Sequence, residues 1–335
     1  MESGLQHRPR TPPRRRSLLR AWLSAWGLSP VFVVGVALLA LAPLWARDAY
    51  LQRLLVVSLY FGALAMTFDF TGGFINAVNF GFAGFVGLGA YVATLVVRNA
   101  ELSAWVGLPA AALATGLVGF LTGLLTLPLR GIYVSLMSWF VGMTLMALAG
   151  ALKDVTRGAR GLVVPPMAEG ITTLGYLYVL LVMAVALYLL LHRIIRSRAG
   201  LAFRAVGQNF DAACASGVDP TRYKLLNFTL SCACAGFLGG FYAHFVGIVT
   251  PAIMDTSYTM EVMTLSFIGG SGSLLGGVVA SFLLIPIFDS LKYLMEYRLI
   301  IYGLMLILVM IFYPAGLYGL YQTAAQALRQ RFQRR

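Results

Sequence analysis

The sequence predicts an all-α, polytopic membrane protein with about ten transmembrane helices, some short or broken at glycine-rich segments. Three observations carry that expectation. The 335 residues are 59% hydrophobic and only 11% charged, with mean hydropathy +0.82, far from the half-apolar, quarter-charged usage of soluble domains. Tracts free of Asp, Glu, Lys and Arg run over 21–46, 54–68, 70–97, 102–129, 131–152, 170–191, 225–254, 262–288 and 299–328, most of them beyond the roughly 20 residues a spanning helix needs. They are continuous apolar runs without the alternation of a barrel strand, which leaves helices as the spanning element.

The charges orient these tracts. Arg8, Arg10, Arg14, Arg15, Arg16 and Arg20 crowd an N-terminal tail over 1–27, and Arg329, Arg331, Arg334 and Arg335 a C-terminal one over 321–335. Arg193, Arg196, Arg198, Arg204, Arg222 and Lys224 fall in a polar island, which contains the loop 193–222 of a membrane domain spanning 28–320. The positive-inside rule places both tails and the island in the cytoplasm. The net charge of +13 does not signal nucleic acid, because "HRPRTPPRRR" offers no folded, aromatic-bearing basic face. A retained first helix is expected over 21–46, since that uncharged run is longer than the roughly 7–15 residues of a signal-peptide core. Cys214, Cys232 and Cys234 form neither a zinc spacing nor an even disulfide set, so they read as reduced thiols.

Parity then fixes the helix count. With the N-terminal tail and the island on one side, an even number of crossings separates them, and 21–46, 54–68, 80–97, 104–127, 131–152 and 171–191 supply it. After the island, 225–247 crosses outward and 299–314 is the last crossing. A single helix over 262–288 would leave the Arg-rich C-terminal tail outside. Splitting it at "GGSGSLLGG" (269–277) returns that tail to the cytoplasm, giving ten helices, with eight as the fallback.

A similar interruption, "DFTGGFINAVNFGFAGFVGLGAY" (69–91), sets Asp69, Asn76, Asn79 and Gly81 where a plain spanning helix would hold Leu and Val. Broken helices in corresponding positions of two halves point to a pathway at the membrane midplane, which makes Asn76, Asn79 and Gly81 of the first break and Gly269, Gly270, Ser271 and Ser273 of the second candidate path residues. The alternative is that small residues merely allow close helix packing. Glu261, just ahead of the second break, either faces a cavity, since a carboxylate at membrane depth is costly, or lies solvated at the outer interface behind Thr256, Ser257, Tyr258 and Thr259. No catalytic grouping, metal-ligand spacing or Walker lysine is present, so neither an enzyme nor a cofactor is expected.

Within the island, Leu201, Phe203, Val206 and Phe210 predict a short helix over 200–217, with Gly217 as its stop. Asp219-Pro220 predicts the cap and first turn of the next helix. Ordered structure between two spanning helices points to docking, against the alternative of an amphipathic loop resting on lipid headgroups.

Residues 200–251, "GLAFRAVGQNFDAACASGVDPTRYKLLNFTLSCACAGFLGGFYAHFVGIVTP", followed by "MEVMTLSFIGGSGSLLGGVVAS" (260–281), resemble the permease subunit of bacterial branched-chain amino acid ABC transporters of the LivM type. "LRGIYVSLMSW" (129–139), "TRGARGLVVPP" (156–166) and "NFGFAGFVGLGAY" (79–91) are further family-like blocks, and coverage runs from about 50 to 315. The chain departs from the family at Asn79-Phe80-Gly81-Phe82, where a Ser-Leu-Gly-His-like run is common; the wider family also serves urea, short amides and sugars. The resemblance implies a multi-pass protein of the bacterial inner membrane carrying branched-chain amino acids or a related small amphipathic solute. The partners it implies are cytoplasmic ABC ATPase subunits, a companion permease in a heterodimer, a periplasmic substrate-binding protein and membrane lipid, and no nucleic acid. Asp211-Ala212-Ala213 with Gly217 resembles the EAA-x3-G loop that importer permeases present to their ATPase, so Arg204, Asp211, Ala212, Ala213, Gly217 and Asp219 are the expected coupling residues. An ion-coupled transporter or channel built on Glu261, with Asp69 and Asp289, is the rival reading.

Overall fold

The structure, a computed structural model, describes residues 30–41, 46, 48–99, 101–127, 129, 131–290, 297–312, 316, 317 and 319. The basic tails expected over 1–27 and 321–335 lie outside the described residues, as do Arg47, Arg130 and Lys292. The helices follow the apolar tracts in order. Before the island come α1 (Pro30–Ala40), α2 (Ala49–Gly72), α3 (Phe82–Asn99), α4 (Ala104–Thr126), α5 (Ile132–Ala151) and α6 (Thr173–Arg196). The island holds α7 (Arg198–Gln208) and α8 (Phe210–Ala215), and α9 (Pro220–Val246), α10 (Thr256–Gly269), α11 (Gly276–Ser290) and α12 (Arg298–Phe312) complete the order. Among the described residues six helices, α2 to α6 and α9, are long and apolar enough to cross a membrane, which makes this a polytopic helical membrane protein.

The helix at the centre is α2. Of its apolar window 89% is buried inside the protein, against 28% for α5, which therefore lies at the periphery. α9 packs on α4 and α3, while α6, α10 and α11 pack on α2. Small residues set these distances: a Cβ on Gly89 would strike the backbone of Gly236, and one on Gly239 the carbonyl of Val86. Apolar side chains gain little by leaving lipid, so close backbone approach supplies the association energy.

The molecule has two distinct ends. At one, α6 runs into the island and α9 leaves it. At the other, β1 (Leu162–Val163) pairs antiparallel with β2 (Ile248–Val249), Leu162 opposite Val249. There the Tyr176 hydroxyl donates to the His244 carbonyl at 2.9 Å and accepts the Met167 N–H at 3.2 Å, clasping the loop after α5 onto the end of α9.

One element differs in detail from expectation. The island is two helices instead of one over 200–217, because Asn209 is extended (φ −155°, ψ 113°) and its side chain caps the second piece by accepting the Ala212 N–H at 3.0 Å. The 262–288 tract does split: α10 ends at Gly269 and α11 begins at Gly276. With 14 and 15 residues and about 1.5 Å rise each, both fall short of the roughly 30 Å hydrocarbon thickness. They form a hairpin whose tip points away from the clasp.

Candidate functional site

Between α2 and α3, residues 73–81 are not helical. The last carbonyls of α2 find partners on α9: Asn227 Nδ2 donates to Phe70 O at 2.9 Å, and Ser231 Oγ to Thr67 O at 2.9 Å. Helix ends leave the last four carbonyls orphaned, Phe70 O among them, so Asn227 stabilises the break directly, and Ser231, also buried in an apolar helix, adds a second bond one turn earlier. Asn76 is exposed and takes a left-handed φ of 57°, a conformation asparagine tolerates. Asn79 is buried; its Oδ1 accepts the Gly81 N–H at 3.0 Å and its Nδ2 reaches Cys232 Sγ at 3.8 Å. The Phe80 N–H donates to Ser138 Oγ at 3.1 Å, and a Cβ on Gly81 would collide with the Ser138 carbonyl. Cys232 lies near the middle of α9, so this segment carries non-helical backbone from the island end into the centre of the molecule. Such backbone is tolerated at membrane depth only when protein or a cavity surrounds it, and Phe74, Ile75 and Ala77 are buried.

The second break meets the first through a different pair of residues from those the sequence suggested. Asp69, 2% exposed, sits in the last turn of α2, and its Oδ1 accepts the Gly272 N–H at 2.9 Å and the Ser266 hydroxyl at 3.4 Å. Gly73 lies so close to Gly272 N and to Asp69 that no Cβ fits there. Gly270 (φ 109°) and Gly272 (φ 78°) form the turn; Ser273 Oγ accepts the Gly276 N–H at 3.1 Å, and Gly269 packs backbone to backbone on Gly276. Ser271 is exposed at the tip.

The island touches the same segment. Phe203, fully buried, meets Phe70 edge-on at 5.6 Å. The Arg204 guanidinium lies 5.3 Å over the Phe74 ring, and Gly207 packs on the backbone of Phe74 and Ile75. Further along, Asp211, Ala212, Gly217 and Asp219 are exposed and Ala213 is buried. The end of α8 is a Schellman motif, Val218 N–H to Ala213 O at 3.1 Å and Gly217 N–H to Cys214 O at 3.0 Å, with Gly217 at φ 79°. Asp219 caps α9 by accepting the Arg222 N–H at 3.2 Å, with Pro220 at the first position.

Glu261 stands apart from all of these. It is 4% exposed and lies at the clasp end, in the second turn of α10, beside a cavity of about 220 Å³ shared with Arg53, Tyr258 and Asp289. The two readings of this residue therefore merge: it is buried, yet near one end of the helix. The structure thus brings the island and both glycine breaks together through Phe74, Gly73 and Asp69, keeps Asn79 and Gly81 against α5 and α9, and separates Glu261 from both. Gly73 and Arg53 escaped the sequence reading. A signal existed for the second, because Tyr50, Arg53, Val57 and Phe61 recur at helical spacing on α2.

Comparison with known proteins places this arrangement. Residues 50–310 match the family described as branched-chain amino acid transport system, permease component. The high-affinity branched-chain amino acid transport system permease protein LivM of Salmonella typhimurium is 29% identical over 266 residues, which cover 71% of this chain and 62% of that protein. Its counterpart in Escherichia coli is 26% identical over 316 residues, 86% of this chain and 74% of that protein. The autoinducer 2 import system permease protein LsrC of Escherichia coli is 26% identical over 239 residues, 67% of this chain and 62% of that protein. The chain thus spans about three fifths of the length of the Salmonella relative. No solved structure matches. Because the family match runs through every helix from α2 to α12, the chain belongs to the branched-chain amino acid transport system permease family.

Proposed function

We propose that the chain is the membrane-spanning permease subunit of an ATP-driven importer for branched-chain amino acids or a related small amphipathic solute. Its family is one of permease components, so the chain is not an enzyme and ATP hydrolysis belongs to a separate subunit. In this reading it crosses the bacterial inner membrane ten times, counting α10 and α11 as an inward and an outward pass, with both termini and the island in the cytoplasm. A companion permease completes the path and a periplasmic binding protein delivers solute to the clasp end.

One observation carries the reading: α7 rests on residues 73–75, and the other side of that segment holds the hairpin tip through Gly73 and Asp69. An ATPase seated on Asp211, Ala212, Gly217 and Asp219 would move α7 through Ala213, Phe203 and Arg204. That displacement reaches Gly272 within a few contacts. Coupling requires an element with two arrangements that the docking partner binds differently, and a non-helical segment beside a glycine turn supplies one. Asn76, Asn79, Gly81 and Gly269 to Ser273 then border or shape the path.

The test is affinity purification of the tagged full chain from native membranes, followed by uptake in vesicles. Recovery of P-loop ATPases and a second permease, lost on Asp211→Ala with Gly217→Trp, is the expected result. A homo-oligomer without ATPase, whose uptake collapses with an uncoupler while ATP is maintained, would transfer the function to the ion-coupled reading.

A further inference from the structure

The cavity at the clasp end is built from four helices, and its chemistry is divided. Its acidic groups differ in depth: Glu261 is buried on α10, whereas Asp289, half-buried in the last turn of α11, accepts the hydroxyl of the exposed Tyr50 at 2.6 Å. The rim carries Arg53, exposed on the second turn of α2. One wall is apolar, formed by Leu54, Val57 and Phe61 along the same helix.

The remaining walls are phenolic and rigid. Tyr242 stacks on the buried Tyr60 with ring centroids 4.2 Å apart and planes 10° apart. Tyr258 stacks parallel on Phe61 at 6.2 Å and is hydrogen-bonded to Tyr242. Side chains locked by stacking give a preorganised site. The volume, about 220 Å³, exceeds the roughly 150 Å³ that admits a benzene-sized guest in an engineered cavity, and lies below the roughly 300 Å³ at which drug-sized pockets begin.

We propose that this cavity is a solute site of the permease itself, and that it takes a zwitterion with an apolar side chain, an α-amino acid. The ammonium group faces Glu261 and Asp289, the carboxylate faces Arg53, and the side chain lies along Leu54, Val57 and Phe61. Among the described residues two carboxylates stand against one guanidinium, a net negative lining. It therefore selects for the amine and disfavours a bare carboxylate, urea or an uncharged amide, because desolvating a charge without its counterpart is costly. The proposal rests on the importer reading for its place at the entry of the path, and narrows the solute to amine-bearing ones.

The experiment uses the full chain with its co-purifying partners in lipid nanodiscs, and measures binding of radiolabelled L-leucine against competition by L-leucinamide, 4-methylpentanoate and urea. Leucine is expected to bind saturably, with leucinamide weaker and the other two weakest. Glu261→Gln should weaken leucine about tenfold or more while leaving 4-methylpentanoate competition unchanged or improved. Arg53→Gln should erase the preference for leucine over leucinamide. Val57→Phe, which fills the apolar wall and touches no charge, should exclude leucine before glycine. Thermal melts of each variant establish that it is folded. No saturable leucine binding at millimolar concentration, or binding indifferent to all three substitutions in folded protein, overturns the proposal. If ATPases co-purify and drive uptake while the variants leave selectivity unchanged, the cavity assignment fails and the importer reading stands; if the variants shift selectivity in a chain that recovers no ATPase, the reverse holds.

Discussion

Asp69 Oδ1 accepts the Gly272 N–H at 2.9 Å, joining the last turn of α2 to the tip of the α10–α11 hairpin across 203 residues of sequence. This bond fixes the tip at the island end of the molecule. Asp69→Ala leaves that amide and the Ser266 hydroxyl to find other partners, and an unsatisfied buried group costs about 1–3 kcal/mol. Asp69→Asn keeps an acceptor in place and should cost less. Thermal denaturation in detergent ranks the two, and an equal loss would mean the charge, not the acceptor, holds the tip.

Gly217 has nothing within 4 Å of where its Cβ would be, yet sits at φ 79°. Its constraint is conformational. Gly217→Ala is expected to lower stability by about 1 kcal/mol, and Gly217→Asn, which tolerates the left-handed region, by less. If the α8 surface docks an ATPase, the Asn variant should still impair coupled uptake while melting near wild type.

Gly81 and Gly239 are constrained by space instead. A Cβ at either meets a backbone carbonyl, of Ser138 and of Val86 respectively, whereas Gly150 has nothing within 4 Å. Overpacking of this kind costs about 1–3 kcal/mol. Alanine at 81 or 239 should therefore lower the melting temperature, and alanine at 150 should leave it unchanged.

Cys214 is exposed on α8, while Cys232 and Cys234 are buried in α9. A membrane-impermeant maleimide should label Cys214 alone, in inside-out vesicles and not in intact cells. Labelling of intact cells would invert the orientation proposed from the charge distribution. Bound ATPase should slow the reaction, which also reports on docking.

Apart from the breaks at 73–81 and 270–275, each apolar tract is helical over most of its described length, and the split of 262–288 followed from charge parity before any geometry, because run length and charge are both local quantities. The caps at Gly217 and Asp219 were legible for the same reason. What escaped was pairing across distance. Asp69 and Gly73 matter through Gly272, and Asn227 and Ser231 matter because they serve the carbonyls of α2; nothing local to any of these positions states the partner. Glu261 was ambiguous because its surroundings, Arg53 and Tyr242 among them, come from other helices.

The segment 73–81 holds its backbone by isolated turn bonds at Gly73, Ile75 and Ala77 and by single bonds to side chains at Phe80 and Gly81, to Ser138 and Asn79. A helix gives up its ladder cooperatively; these bonds can be exchanged one at a time. Amide hydrogen exchange should therefore find its fastest protons within the spanning core here, at Phe80 and Gly81, with α2 and α9 on either side remaining protected. The slowest and fastest clocks of the molecule would then tick side by side, a few ångströms apart.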